Sequence, residues 1–131
     1  MHSAEAMVPN RPDSVPATRL FLMRLLNGWG VADADIEDAG LLTSELMANA
    51  VRHGSGDVNI KIELIDGRLY VGVHDDGEAL PQVKHPHAGS SDSRGLWIVQ
   101  SVAHQWGTHT GGDDPGKTAW FTLTLLSQPG T

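Results

Sequence analysis

The stretch TSELMANAVRHG, residues 43–54, carries the strongest structural signal in the chain. Apolar residues recur at helical spacing through it and upstream of it, at Ile36, Ala39, Leu42, Leu46, Ala50 and Val51. Asp33 or Asp35 is a suitable residue to cap the start of this helix, and Gly54 is suited to end it. The sequence therefore predicts a long helix whose apolar stripe faces a core.

The same helix carries a candidate functional pair. Glu45 and Asn49 are one turn apart and share a face, with Arg52 and His53 near its edge. An Asn oxygen can bind Mg²⁺ directly, while a Glu can orient or deprotonate a water or hydroxyl. Such a pair is also common on solvated helix faces, so its interpretation depends on the neighbouring motifs.

Another helix is predicted N-terminal to this one, over SVPATRLFLMRLLNGWG, residues 14–30. Ser14 can cap it, and Gly28 and Gly30 stop it. Residues 1–13 contain two prolines and little periodicity, and we expect a mobile leader there. We place one domain over residues 14–127, followed by a short tail at 128–131.

After residue 54 the apolar period changes from about 3.6 to 2, which is typical of strands. Residues 57–65 and 68–75 alternate around Asp66-Gly67, a tight-hairpin signal. A long loop over 76–93, a short helix over 95–107 and a closing strand over 118–126 complete the order α-α-β-β-loop-α-β-β. This order predicts an α+β domain, with an antiparallel or mixed sheet and helices on one face.

The composition narrows the function classes. The 131 residues have a formal net charge of −7 and no cysteine. A nucleic-acid surface needs several phosphate-neutralising cations, so the charge argues against DNA or RNA as the main ligand. Zero cysteines exclude thiolate catalysis and agree with a cytoplasmic address. No apolar run is long enough to span a membrane.

Residues 111–118, GGDDPGKT, match the phosphate-binding pattern G-x-x-x-x-G-K-[ST]. A working loop of that class must lead into a helix N-terminus. Here the residues after Lys117 alternate as a strand, and Asp113 and Asp114 would place negative charge beside the phosphates. We therefore interpret the segment as a turn between two antiparallel strands.

Other positions are better suited to nucleotide chemistry. Asp75 ends an apolar strand, where a carboxylate needs a partner such as the exocyclic amine of adenine. Gly77 permits a close approach of the backbone. An ordinary turn is the alternative for this short motif alone. Beyond the long loop, Gly95 opens a predicted helix whose free amides could meet phosphates.

Taken in order, these motifs are E-x-x-x-N-A-x-x-H-G, V-x-D-x-G, R-G-L and G-K-T before a last strand. The set resembles the GHKL (Bergerat-fold, histidine kinase-like) ATP-binding domain, and most closely the small anti-sigma-factor serine kinases. The resemblance covers roughly residues 14–126. It implies a two-layer α/β sandwich with a mixed, mostly antiparallel sheet, binding ATP and Mg²⁺.

The resemblance also implies residue roles. Glu45 corresponds to the catalytic base, Asn49 to the magnesium ligand, and Asp75 with Gly77 to the adenine-reading pair. The other nucleotide-binding positions that it implies are His53, Arg94, Gly95, Leu96 and Thr118. Thr118 would support Asp75 in adenine recognition, commonly through water, and residues 78–94 would form a lid over the phosphates.

Arg19 stands where relatives of this kind carry an arginine used for protein partners. The partners implied are a sigma factor, which is sequestered, and an antagonist protein phosphorylated on serine; a homodimer is also compatible. The alternative is a nucleotide-binding switch module without useful kinase activity. Ser93, in place of a glycine of the family's second glycine-rich box, favours that alternative.

Overall fold

The computed structural model describes residues 1–77, 105–110 and 116–126. These residues form two helices and five strands. In chain order they are β1 (His2–Val8), α1 (Ser14–Gly28), α2 (Asp33–His53), β2 (Val58–Ile65), β3 (Arg68–Asp75), β4 (Gln105–Thr110) and β5 (Lys117–Thr124).

The strands make one sheet in the order β1-β2-β3-β5-β4, and every pairing is antiparallel. Helix α2 packs on β3 and β5, and α1 packs on α2. Alternate residues of β2, β3 and β5 are buried on the helix side, as period-2 strands require. The predicted α+β class, with helices on one face of the sheet, is confirmed.

The core lies between the sheet and the two helices. It is built from buried Leu, Ile, Val, Ala, Met and Phe side chains, among them Leu22, Leu26, Leu42, Leu46, Met47, Ile60, Ile62, Val71 and Phe121. Neither helix of the described residues is long and apolar enough to cross a membrane.

The predicted mobile leader is wrong. His2–Val8 form strand β1, which pairs with β2 from His2↔Leu64 to Val8↔Val58. Its residues alternate weakly, with Ala4, Ala6 and Val8 half-buried toward the helices. Because two of these inward residues are alanines on an edge strand, the hydrophobic pattern was too faint to identify a strand.

The predicted helix starts are only partly correct. No side chain caps either helix: Ser14 Oγ donates to the Pro9 carbonyl over 2.6 Å, and Asp35 accepts a 2.8 Å hydrogen bond from the Leu126 backbone amide. The carboxylate expected at a cap therefore ties α2 to the end of the sheet.

The predicted stop of α1 is confirmed. Val31 N donates to Leu26 O and Gly30 N to Asn27 O, with Gly30 at a φ of 82°; this is the Schellman arrangement.

Both predicted hairpins are confirmed. Asp66 and Gly67 have φ of 50° and 74° between β2 and β3, as a type I′ turn requires. Strands β4 and β5 pair antiparallel on either side of residues 111–115, so Lys117 begins a strand and not a helix. The helix expected over 95–107 is wrong at its end, because Gln105 starts β4; residues 95–104 lie outside the described part.

Candidate functional site

Asp75 is the last residue of β3 and lies where the sheet meets the C-terminal end of α2. Its neighbours along the strand, Val71 and Val73, point into the core on the same side, so Asp75 continues the inward-facing row. Its side chain is only 2% exposed. A carboxylate buried to this degree needs compensating partners.

Two partners meet a single oxygen of that carboxylate. Lys117 Nζ donates to Asp75 Oδ1 over 3.2 Å, and Gly77 N donates to the same Oδ1 over 2.7 Å. Asp75 and Lys117 are cross-strand partners in the β3–β5 ladder, and the Lys117 side chain is 1% exposed. The structure therefore contains a buried ion pair at the position predicted to read a base.

Glycines allow the backbone to close around Asp75. A Cβ on Gly54 would overlap the Asp75 carboxyl group and the Ala50 carbonyl oxygen. A Cβ on Gly116, which has a φ of 94°, would overlap the Asp75 carbonyl oxygen. Gly54 does end α2 as predicted, but in an extended conformation, so close approach is what requires a glycine there.

The segment after α2 is joined to the segment after β3. Asp76 N donates to Ser55 O over 2.8 Å. This contact and the packing of Gly54 on Asp75 fix the end of α2 against the end of β3. The structure thus brings the motif of residues 43–54 and the Asp75–Gly77 motif together.

Glu45 and Asn49 lie on α2 upstream of this junction. Asn49 is 7% exposed, whereas Glu45 is half-buried. From Glu45 to Gly54 the helix rises roughly 13 Å, at 1.5 Å per residue. Glu45 and Asn49 therefore lie on the helix whose C-terminal end packs on Asp75.

Asn49 and Glu45 offer the oxygen donors that Mg²⁺ takes, since this ion is commonly held by one or two protein oxygens together with phosphates and water. No group of three His, Asp or Glu side chains gathers at one point within residues 1–77, 105–110 and 116–126.

Thr118 is not brought to Asp75. It pairs with His74, and its Oγ1 lies 2.9 Å from His74 Nδ1 on the face of the sheet opposite the helices. The expectation that Thr118 supports Asp75 is therefore not matched by the geometry, because neighbouring residues of a strand point to opposite faces. Lys117 occupies the position beside Asp75.

The buried role of Lys117 had a signal in the sequence. The closing strand buries Ala119, Phe121 and Leu123 on the helix side. Extending this alternation by two residues toward the N-terminus places Lys117 on the same face. A lysine is seldom fully buried, so this alternation alone does not predict the burial of Lys117.

Of the remaining predicted residues, the structure describes His53 and Arg19. His53 ends α2 and is exposed. Arg19 is exposed on α1, with its Nε close to Gly40 of α2. Arg94, Gly95 and Leu96, the lid predicted over 78–94 and Ser93 lie outside the described residues.

The fold and this junction define a small α+β domain in which the end of one helix packs on a buried ion pair at the end of a central strand. The profile of the histidine kinase-like ATPase domain matches residues 8–123, and the chain belongs to this family.

Two serine-protein kinases are similar to this chain in sequence. The serine-protein kinase RsbW of Oceanobacillus iheyensis is 32% identical over 115 residues, which cover 75% of this chain and 73% of that protein. The serine-protein kinase RsbW of Bacillus subtilis is 34% identical over 80 residues, 57% of this chain and 50% of that protein.

Solved structures agree on the fold. The RsbU and RsbW domains of Rv1364c from Mycobacterium tuberculosis superpose with a TM-score of 0.75 over 98% of this chain and 33% of that one, at 22% identity. The catalytic domain of the histidine kinase ThkA superposes with a TM-score of 0.55 over 95% of this chain and 98% of that one, at 13% identity.

Proposed function

We propose that this domain binds ATP with Mg²⁺ and transfers the terminal phosphate to a serine of a partner protein. The observation that carries the proposal is the packing of the Gly54 end of α2 on Asp75, which joins the helix that bears Glu45 and Asn49 to the strand that ends in the proposed base-reading carboxylate. Membership of the histidine kinase-like ATPase family and the relatives named serine-protein kinases support it.

At the base end, Asp75 accepts a hydrogen bond from the exocyclic amine of adenine. The Gly77 amide already donates to this carboxylate over 2.7 Å, so its position is set before the base arrives. Gly54 has no side chain to stand between α2 and the carboxylate. A pre-oriented acceptor costs less to order on binding than a mobile one.

At the phosphate end, Asn49 is the residue of α2 that holds Mg²⁺ through its carboxamide oxygen. When bound, the ion neutralises charge on the phosphates. Glu45 is half-buried one turn away and accepts the proton of the attacking serine hydroxyl. In this proposal Arg94, Gly95 and Leu96 make the remaining phosphate contacts. His53, also proposed to contact the nucleotide, is the last residue of α2.

The partner surface in this proposal is the exposed side of α1. Arg19 lies there beside Leu20 and Phe21, which are 50% and 39% exposed although both are large and apolar. A sigma factor is the sequestered partner, and an antagonist protein supplies the serine. Exposed apolar side chains next to an arginine are typical of protein contact surfaces.

The test is transfer of radiolabelled phosphate from ATP to a candidate antagonist by the purified chain. We expect Glu45→Ala to slow transfer by about 100-fold or more, because a general base contributes roughly that factor. Glu37→Ala is the matched control, since Glu37 is an exposed carboxylate on the same helix. It should leave the rate unchanged.

Two binding measurements accompany the assay. Asn49→Ala should weaken ATP binding in the presence of Mg²⁺, and Asp75→Asn should weaken adenine-nucleotide binding in its presence or absence. Nucleotide binding without label transfer to any cognate antagonist would refute the kinase activity and leave a nucleotide-binding switch. Unchanged affinity in Asp75→Asn would refute the site itself.

A further inference from the structure

Among the described residues of the candidate site, Lys117 has the most deeply buried charged side chain. Its side chain is 1% exposed, against 2% for Asp75, and its ammonium lies 3.2 Å from Asp75 Oδ1. A lysine is rarely buried to this degree without a specific partner. The proposed chemistry makes no use of this group.

The geometry around the carboxylate is asymmetric. Among the described residues, both hydrogen bonds that Asp75 accepts converge on Oδ1, one from Lys117 Nζ and one from Gly77 N. The terminal torsion of an aspartate is broad, so an unrestrained carboxylate would sample many orientations. Two donors on one oxygen hold the carboxylate plane, and the second oxygen then faces a defined direction.

We propose that Lys117 is a positioning residue for base recognition, which fixes the Asp75 carboxylate so that its second oxygen meets the amine of the purine. This inference rests on the proposed function, because it assigns a role within the same nucleotide site. Lys117 acts through Asp75 and does not itself contact the base.

The position of Lys117 in the fold suits this role. It is paired directly with Asp75 in the ladder, and both residues face the helices. Gly116 before it permits the close approach of the two strand ends, because a Cβ there would overlap the Asp75 carbonyl oxygen. The ammonium is therefore held by backbone pairing beside the carboxylate, and its charge also offsets the cost of burying that carboxylate.

The test compares two ligands that differ only in the amine: ADP and purine riboside 5′-diphosphate, which lacks the 6-amino group. Calorimetric dissociation constants for both are measured with the wild-type chain, Lys117→Met and Lys117→Arg. In the wild type, loss of the amine should weaken binding by about 10-fold or more, the usual effect of a hydrogen bond to a charged group.

In Lys117→Met the ratio of the two dissociation constants should fall to about 3-fold or less, since a carboxylate held by the Gly77 amide alone is less firmly oriented and makes a weaker hydrogen bond. Lys117→Arg keeps the cation and should retain more of the ratio than the methionine variant. Equal weakening of both nucleotides by Lys117→Met, with the ratio unchanged, would overturn the proposal and leave Lys117 a purely structural residue.

A second pair of variants keeps the test decisive if Lys117→Met does not fold. Asp75→Asn and Asp75→Asn/Lys117→Met are compared, the latter having neither charge. Because no carboxylate remains to be positioned, Lys117→Met should not change the amine ratio in this background. A change would mean that Lys117 contacts the base itself. Failure of the wild type to bind ADP would instead remove the proposed function, and the positioning role with it.

Discussion

At the scale of single residues, the site is defined by what packs on Asp75. Its carboxylate accepts hydrogen bonds from Lys117 and Gly77, while Gly54 and Gly116 bring backbone against it. Positions 54 and 116 are glycines because a side chain at either would overlap Asp75. At position 54 it would overlap the carboxyl group, and at position 116 the backbone carbonyl oxygen. The requirement for glycine is therefore steric at Gly54 and both steric and conformational at Gly116.

Gly54→Ala should lower the free energy of unfolding by about 2 kcal/mol, the usual cost of forcing extra volume into a packed site. The new Cβ would overlap the Asp75 carboxyl group and the Ala50 carbonyl oxygen. Urea unfolding measures the change. Gly28→Ala is the control: nothing lies within 4 Å of its added Cβ, so its effect should stay within about 0.5 kcal/mol. Equal effects would contradict the packing at Gly54.

Tyr70 gives a pH-dependent prediction. Burial raises the pKa of Tyr70 above its ordinary value of 10.0, and the neighbouring Glu63 carboxylate raises it further. Tyr70 is the only tyrosine of the chain, so an ultraviolet titration reports it alone. We expect Glu63→Gln to lower this pKa only in part, since burial is the larger cause; a return to the ordinary value would contradict that order.

The same shift has a consequence for stability. Because the pKa of Tyr70 is higher in the folded state, the unfolded chain loses this proton first as pH rises. Below pH 10.0, Tyr70 should not affect how the free energy of unfolding depends on pH. Between pH 10.0 and the raised pKa of Tyr70 in the folded state, the free energy of unfolding should fall as pH rises. Tyr70→Phe should remove this part of the alkaline decline, measured by urea unfolding across that range.

Among the helices and strands, α2 matters most for the candidate site and β1 for the extent of the sheet. Helix α2 contacts β3 and β5 and carries Glu45, Asn49 and the Gly54 end, so it connects both ends of the candidate site. Strand β1 covers one edge of β2 along its whole length. The N-terminal residues are therefore part of the sheet.

Strand β1 can be tested with two adjacent residues on opposite faces. Val8 packs against the core, whereas Met7 is 62% exposed. Val8→Asp should cost about 2 kcal/mol of unfolding free energy, from lost apolar burial and a partly buried charge. Met7→Asp should cost much less. Small, equal effects in thermal unfolding would indicate that residues 1–13 are a mobile leader after all.

For the whole molecule, the candidate site combines residues of α2, β3 and β5, so it is assembled only in the folded chain and ligand binding should be coupled to folding. ADP at a hundred times its dissociation constant should raise the free energy of unfolding by about 2.7 kcal/mol. Thermal unfolding with and without ADP measures this. Asp75→Asn should show a smaller shift at the same ADP concentration, and an equal shift would place the base elsewhere.

Much of the fold followed from local pattern. The long stripe of α2, the period-2 strands and the Asp66-Gly67 turn each have a signal within a few residues, and each is present in the structure. Strand β1 lacked such a signal, since its inward residues are mostly alanine. An edge strand of this kind is recognised only by its partner β2, which lies about 50 residues away in the chain.

Local sequence pattern was enough to identify the family resemblance, the helix bearing Glu45 and Asn49, and the strand after Lys117 that excludes a phosphate loop. The residue that lies beside Asp75 could be identified only from the pairing of the strands in the folded chain. Alternation along β5 is enough to put Lys117 and Thr118 on opposite faces, but the register of β3 against β5 decides that Lys117 is the residue paired with Asp75. A one-residue difference in register exchanges the two faces, and register is set by long-range pairing and core packing, which no local pattern contains.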